Sequence, residues 1–355
     1  ILKSVSRAIT NDPEVRLLAA RFPRFFGFIK KRLTPDEKFG LYLTIGSVIT
    51  VIFLFLFFGV VEDLIGQDLL IQSDLRIINL LQIFRLPSFN KLMLFITYLG
   101  RWQIIVLGVV LVGIPFALLN RWRYLIALIV SVGGGEFFVW LVKHIIERPR
   151  PLLINALPPE ISFSFPSGHS FVAVSFYGLL GYFIFRAAKS RLLKICSIII
   201  SALIILAIGF SRVYLGAHWP SDVLASYASA AAWLAVLITA LEIRRKFNHR
   251  PHSAPRFSVA SIAGLSVFLF ALWGIYVGYF FQAHSLNPRT EIIERQIVIS
   301  EKDIPRNLFL TFPRVSEDIV ARPMEPINII AVAGYKDLTA AFGKAGWFLA
   351  DSITA

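Results

Sequence analysis

Seven apolar runs divide the chain, at about 40–61, 102–119, 124–146, 171–186, 193–210, 222–242 and 258–281. Each is near the ~20 residues that a helix needs to cross a bilayer. The pattern therefore predicts an all-α polytopic membrane protein. Between the first two runs, residues 62–101 mix acids (Glu62, Asp63, Asp68, Asp74) with apolar positions (Leu75, Ile78, Leu80, Leu81). That mixture predicts a helix lying in the membrane interface. Residues 1–39 interleave Arg16, Arg21, Arg24, Lys30, Lys31 and Arg32 with Leu17, Leu18, Phe22, Phe25, Phe26 and Phe28. They read either as an amphipathic cytoplasmic helix on an anionic membrane surface or as a solvated basic tail.

The pattern changes after the last run. Residues 295–300, 307–312 and 327–333 read as short strands. Residues 336–345 read as a helix with Leu338, Ala341, Phe342 and Ala345 on one face. The expected organisation is a basic segment over 1–39, a membrane-embedded domain over 40–245, and a linker with an additional span over 246–284. A small extracytoplasmic α/β domain over 285–355 follows, cut short at Ala355.

Composition agrees with a membrane protein. The chain is 56% hydrophobic and 16% charged, against about 25% charged in soluble domains. The net charge of +14 points to orientation and not to nucleic acid, because of where the charges lie. With the N-terminus cytoplasmic, the inner segments before residue 282 hold 20 Lys and Arg and the outer ones eight. The positive-inside rule favours that orientation. The single cysteine, Cys196, lies in an apolar run and reads as packing. No secretory signal pattern is seen. Since the first residue is Ile1, residues are expected to be missing upstream, or the chain to be a fragment.

Three polar clusters fall at ends of apolar runs, and the topology puts all three on one side. Lys143 to Pro151 closes the third run, Pro166-Ser167-Gly168-His169 opens the fourth, and Ser211 to Asp222 joins the fifth and sixth. Ionisable groups at such depth are costly unless paired, and they mark sites. Lys143, Arg150 and Arg212 supply positive charge, and guanidinium forks match phosphate oxygens. Ser167-Gly168 stands where a helix begins, so backbone N–H groups and the positive end of the dipole face a ligand. Asp222, four residues after His218, can accept the Nδ1 proton and leave Nε2 as a nucleophile. His169 has no carboxylate close in sequence and suits the acid that protonates a leaving oxygen. Each cluster alone has an ordinary explanation, as a turn at a helix start or an interfacial anchor. Together, with complementary roles on one face, they predict a phosphoryl-transfer site.

The spacing carries a resemblance. Lys143 with Arg150-Pro151, then Pro166-Ser167-Gly168-His169, then Ser211-Arg212 with His218 and Asp222, resemble the three signature motifs of the type 2 phosphatidic acid phosphatase superfamily. The resemblance covers roughly 40–245. It implies a core of six helices and a metal-independent lipid phosphatase without cofactor. It also implies a phosphohistidine at His218, Asp222 orienting it and His169 as general acid. Lys143, Arg150, Ser167, Gly168 and Arg212 would bind phosphate. Soluble vanadium haloperoxidases share these motifs, but seven apolar runs argue against that branch. Residues 320–350, with Glu325 to Ile330 and Ala345-Gly-Trp347, resemble the LssY C-terminal domain of some bacterial members. The basic start resembles the junction to an upstream DedA-type membrane domain. The count of Lys and Arg puts the three clusters outside, so the expected setting is a bacterial inner membrane with the site facing the periplasm.

Other polar residues have paired readings. Glu136 lies seven residues before Lys143, nearly two turns and so on the same face. It is either a partner of Lys143 or head group, or a buried acid paired with another helix. Gly133-Gly134-Gly135 allows close helix approach. Glu147 and Arg148 read as a local pair or as the border of the pocket. Tyr214, Trp219, Trp102 and Trp122 read as interfacial anchors. His249, His252 and His284 lack metal-ligand company, and no metal is expected. The expected function is hydrolysis of a lipid phosphate or diphosphate: polyprenyl diphosphate, phosphatidate or phosphatidylglycerol phosphate. The expected partners are that substrate and the bilayer, with a cell-envelope partner through the C-terminal domain. The alternatives are a lipid phosphotransferase and a non-catalytic lipid-binding or translocating protein.

Overall fold

The computed structural model describes residues 13–33, 40–66, 69–83, 86–151, 162–247 and 258–284. It also describes 315–317, 323–326 and the single positions Asp337, Ala340 and Lys344. It divides into two compact units, Ile1–Ile293 and Glu294–Ala355. The first is helical: α1 (Pro13–Arg21), α2 (Pro23–Leu33), α3 (Leu41–Gly66), α4 (Leu69–Ile83), α5 (Pro87–Tyr98), α6 (Trp102–Leu118) and α7 (Trp122–Ile146). It continues with α8 (Gly168–Ala187), α9 (Arg191–Tyr214), α10 (Pro220–Phe247) and α11 (Val259–His284).

Among the described residues, six helices are long and apolar enough to cross a membrane. A seventh span results if α5 and α6, bent by 47° at a short break, are counted as one. Six of the expected runs thus appear as long helices, and the run at 102–119 is the second helix of the bent pair.

The segment 62–101 corrects the expectation of one interfacial helix. Glu62 and Asp63 extend α3, the segment's other described helices are α4 and α5, and Asp68 lies outside the described residues. The apolar positions of α4 part company in the fold. Ile78 is fully buried, whereas Leu75 and Leu80 are exposed and Asp74 is buried. The basic start is likewise two helices, because Pro23 lacks the N–H needed to continue α1 and sits well at the first position of α2.

The core is built around α8 and α10. Phe171, Val172, Ala173 and Phe176 of α8 pack among α7, α9 and α10. Of the three glycines of α7, two serve close approach. A Cβ at Gly134 would meet the Trp233 ring at 2.8 Å, and one at Gly135 would meet Phe171 at 2.5 Å. Residues Val174–Gly178 of α8 form a π turn, and the Ser175 carbonyl accepts from the Ser131 hydroxyl of α7 at 2.9 Å. The additional span α11 lies against α5 and α6, with Trp273 Nε1 donating to the Ile104 carbonyl at 3.0 Å.

In the second unit, β1 (Val315–Glu317) and β2 (Pro323–Pro326) pair antiparallel. The strands expected at 295–300, 307–312 and 327–333 lie outside the described residues, as does most of 336–345.

Candidate active site

The three polar clusters meet at one end of the helical unit. α9 ends at Tyr214, and Gly216 then takes φ 71°, a left-handed turn that glycine adopts without a Cβ clash. The Arg212 carbonyl accepts from the amides of Ala217 (3.0 Å) and His218 (3.3 Å), which folds the chain back on itself. Pro220 then opens α10, so Asp222 lies in its first turn, where a carboxylate meets the positive end of the dipole. His218 is left between two helices, 1% exposed.

Both His218 nitrogens have partners. Nδ1 faces Asp222 Oδ2 at 3.4 Å, and Nε2 faces Arg150 NH1 at 3.2 Å. A guanidinium only donates and a carboxylate accepts. The pattern thus fits the neutral tautomer with its proton on Nδ1. Burial holds the His218 imidazole well below its ordinary pKa. The positive charges of Arg150, Arg212 and Lys143, and His169, push the same way. Asp222 Oδ2 also accepts from the Trp219 amide at 3.0 Å.

The cations close in from three elements. Arg150 NH1 donates to the Ala217 carbonyl at 2.7 Å, and its Nε and NH2 donate to the Ser162 carbonyl (2.5 Å) and hydroxyl (2.9 Å). Lys143, in the last turn of α7, donates to the Phe163 carbonyl. Arg212 is fully buried, and its NH1 donates to the Thr97 hydroxyl of α5 at 2.9 Å. Ser167 caps α8, its Oγ accepting from the Ser170 amide (3.4 Å) and hydroxyl (3.0 Å). Gly168 and His169 follow in the first turn, where N–H groups point out of the helix. His169 lies within electrostatic reach of His218 and packs beside Gly100, at the break between α5 and α6. The structure thus brings together His218, Asp222, His169, Lys143, Arg150, Arg212, Ser167 and Gly168. Glu136 lies at the accessible surface of the span α7, within electrostatic reach of Lys143.

The PAP2 superfamily model matches residues 124–246. Phosphatidylglycerophosphatase B of Bacillus subtilis (strain 168) is 34% identical over 178 residues, which is 49% of this chain and 86% of that protein. The chain belongs to the PAP2 superfamily. An undecaprenyl-diphosphatase of Sulfolobus acidocaldarius is 26% identical over 203 residues, covering 53% of this chain and 88% of that protein. A crystal structure described as the first transmembrane PAP2 type phosphatidylglycerolphosphate phosphatase from Bacillus subtilis aligns with a TM-score of 0.48 and 27% identity. It covers 58% of this chain and 98% of that one. As a PAP2 member with several apolar spans, the protein is a multi-pass membrane lipid phosphatase.

Several residues at this PAP2 site are placed more sharply by the structure than by the sequence, which left Arg148 either paired with Glu147 or at the border of the pocket. Arg148 does not stay beside Glu147, which is exposed in a left-handed cap at φ 48°. It turns inward, donating to Asp222 Oδ1 at 2.5 Å and to Asp74 Oδ2 at 2.7 Å. Trp219 is no simple interfacial anchor, since its ring covers the Arg148 guanidinium at 5.3 Å and its Nε1 donates to the Pro149 carbonyl at 2.9 Å. Tyr214 is buried, with its hydroxyl accepting from the Leu86 amide at 3.3 Å. Trp102 and Trp122 are exposed, and His144 turns back onto the Trp140 carbonyl. The acids before the second span were the available signal for Asp74. Their partner, however, stands 74 residues away in sequence.

Proposed function

We propose that this PAP2 member hydrolyses a lipid phosphate through a phosphohistidine on His218. The observation that supports it most is the placement of His218: Nδ1 toward a carboxylate, and Nε2 toward a guanidinium at 3.2 Å. Nε2 attacks phosphorus and the bond from phosphorus to the lipid oxygen breaks. His169 gives its proton to that oxygen, and the lipid alcohol or phosphate leaves. Water then attacks the phosphohistidine, His169 takes a proton from it, and the N–P bond breaks to release phosphate. Asp222 holds the Nδ1 proton and balances the positive charge that develops on the ring. Lys143, Arg150, Arg212 and the first turn of α8 at Ser167–Gly168 hold the phosphoryl oxygens, positive groups aimed where negative charge gathers.

The reaction is proposed to need no metal or cofactor, since the histidines and cations supply nucleophile, acid and charge. The site is proposed to face the periplasm of a bacterial inner membrane, on the distribution of Lys and Arg. The names of the two curated relatives make phosphatidylglycerol phosphate and a polyprenyl diphosphate the first substrates to try, with phosphatidate beside them. The proposed organisation keeps the phosphatase domain at 40–245, the additional span at 246–284 and an LssY-like domain after it. That last domain would be the docking module for an envelope partner. The test is phosphate release by purified protein on the three lipids, with and without a chelator. Release that survives chelation and disappears in His218→Ala is expected. Release abolished by the chelator would overturn the metal-free route.

A further inference from the structure

The ion cluster behind His218 extends beyond the three motifs. One guanidinium, that of Arg148, joins two carboxylates from distant parts of the chain, Asp222 at 2.5 Å and Asp74 at 2.7 Å. Its NH1 also donates to the Ser221 hydroxyl at 2.8 Å. Asp74 accepts in turn from the Ser221 amide at 2.9 Å and from its hydroxyl at 2.5 Å. Asp74, Ser221 and Asp222 are 1% exposed or less, and Arg148 is 8% exposed. We infer that Asp74 and Arg148 are positioning residues for phosphoryl transfer, fixing Asp222 against His218 and setting the charge that balances the ring. This inference rests on His218 being the nucleophile.

The physical case has two parts. The first is geometry. Asp222 could rotate about its side-chain bonds if only His218 and the Trp219 amide held it. The planar fork of Arg148 takes the other oxygen and removes that freedom. The fork is itself pinned, by Asp74 from α4 and by the Trp219 ring over its face. One turn beyond Asp74, Ile78 is fully buried beside Val213 and Val223, so apolar packing and the ion pair lock the same face of α4 onto the site. The second part is charge. The formal sum of Asp74, Arg148 and Asp222 is one negative charge. When His218 turns cationic on phosphorylation, the four side chains sum to zero. A single Asp–Arg pair would have left the ring uncompensated in a buried place, where an unpaired charge is expensive. A lysine at 148 would keep the charge but lose the planar fork, and so would hold the two carboxylates less firmly.

The test is kcat and KM on the full chain in detergent, with vanadate inhibition reporting the phosphate pocket. The variants are Arg148→Gln, Arg148→Lys, Asp74→Asn and the Asp74→Asn/Arg148→Gln double, beside His218→Ala and Asp222→Asn. Arg148→Gln is expected to lower kcat about 10–100-fold, the usual effect of losing a partner that orients a working side chain. KM and vanadate inhibition should stay nearly unchanged, because the phosphate donors are intact. Arg148→Lys should recover part of the loss. Asp74→Asn should lose less than Arg148→Gln, and the double less than the two losses multiplied, since Asp74 acts in part through Arg148. Should Arg148→Gln fail to fold, Arg148→Lys and Asp74→Asn carry the test, scored per vanadate-binding site. Wild-type turnover per site in those two, with His218→Ala and Asp222→Asn inactive, would overturn the inference alone. Turnover retained in His218→Ala would overturn the proposed mechanism beneath it.

Discussion

Gly100 offers a graded test of His169 as the general acid. It stands at the break between α5 and α6, and its amide donates to the Thr97 carbonyl at 3.0 Å. A Cβ placed there would lie 3.3 Å from His169 Cδ2, 3.4 Å from His169 Cβ and 3.0 Å from Ile208 Cγ2. Carbon contacts are comfortable at about 3.5–4.0 Å, so something must move by a few tenths of an ångström. Ile208 is fully buried, and Gly209 beside it is pressed on Tyr227, where a Cβ would come within 1.8 Å of the hydroxyl. The His169 ring is the side that can yield. A 1 Å misplacement costs a catalytic step about 100-fold, so a third of that distance costs roughly three- to tenfold. Gly100→Ala should therefore lower kcat by about that factor on an alkyl lipid phosphate, whose leaving oxygen needs the proton. On an aryl phosphate such as p-nitrophenyl phosphate, whose leaving group departs without one, the loss should nearly vanish. His169→Ala should show the same contrast, enlarged. Equal losses on both substrates, or none on the alkyl one, would refute the reasoning.

Two further outcomes follow from the same geometry. Thr97→Val removes the acceptor of a buried Arg212 donor, a loss of about 1–3 kcal/mol, and should weaken vanadate inhibition and lower Tm, with Thr97→Ser restoring both. Folding stability should also depend on pH through His218. Its folded value lies well below the ordinary 6.5, so the unfolded chain binds a proton that the folded one refuses. That contribution is complete above about 6.5 and is lost as pH falls below it. Tm measured from pH 8 down to 5 should decline in the wild type, and less steeply in His218→Gln.

The parts of the molecule that obey the bilayer were legible in the sequence, because a span must be long and apolar whatever it packs against. The candidate site residues could be singled out for a related reason. Lys143, Arg150, His169, Arg212, His218 and Asp222 stand at the ends of apolar runs, where charge has to be explained. Segment 62–101 gave way because its runs are too short to span, and because an acid in an amphipathic helix looks solvated until its partner is known. Asp74 reads like Glu62 or Asp63, yet it is buried against Arg148 and Ser221. No local period reveals a contact across 147 residues, such as Asp74 with Ser221. The partners of Tyr214 and Trp219 stay hidden in the sequence for the opposite reason. Aromatic rings at span ends usually face the interface, and here a charged cluster and a neighbouring helix claim them instead.

The order in which the cluster's members lie along the chain bears on how the protein is made. Asp74, Arg148 and Asp222 are each separated from the next by 74 residues. Synthesis and insertion run from the N-terminus, so Asp74 and Arg148 are both present while α8, α9 and α10 are still to come. In that interval they can neutralise each other and stand as a closed pair. Asp222 arrives last, on α10, with His218 just ahead of it. Its arrival turns a neutral pair into a cluster with one formal negative charge. His218 and Asp222 are thus made together, four residues apart, after both members of the pair that they join.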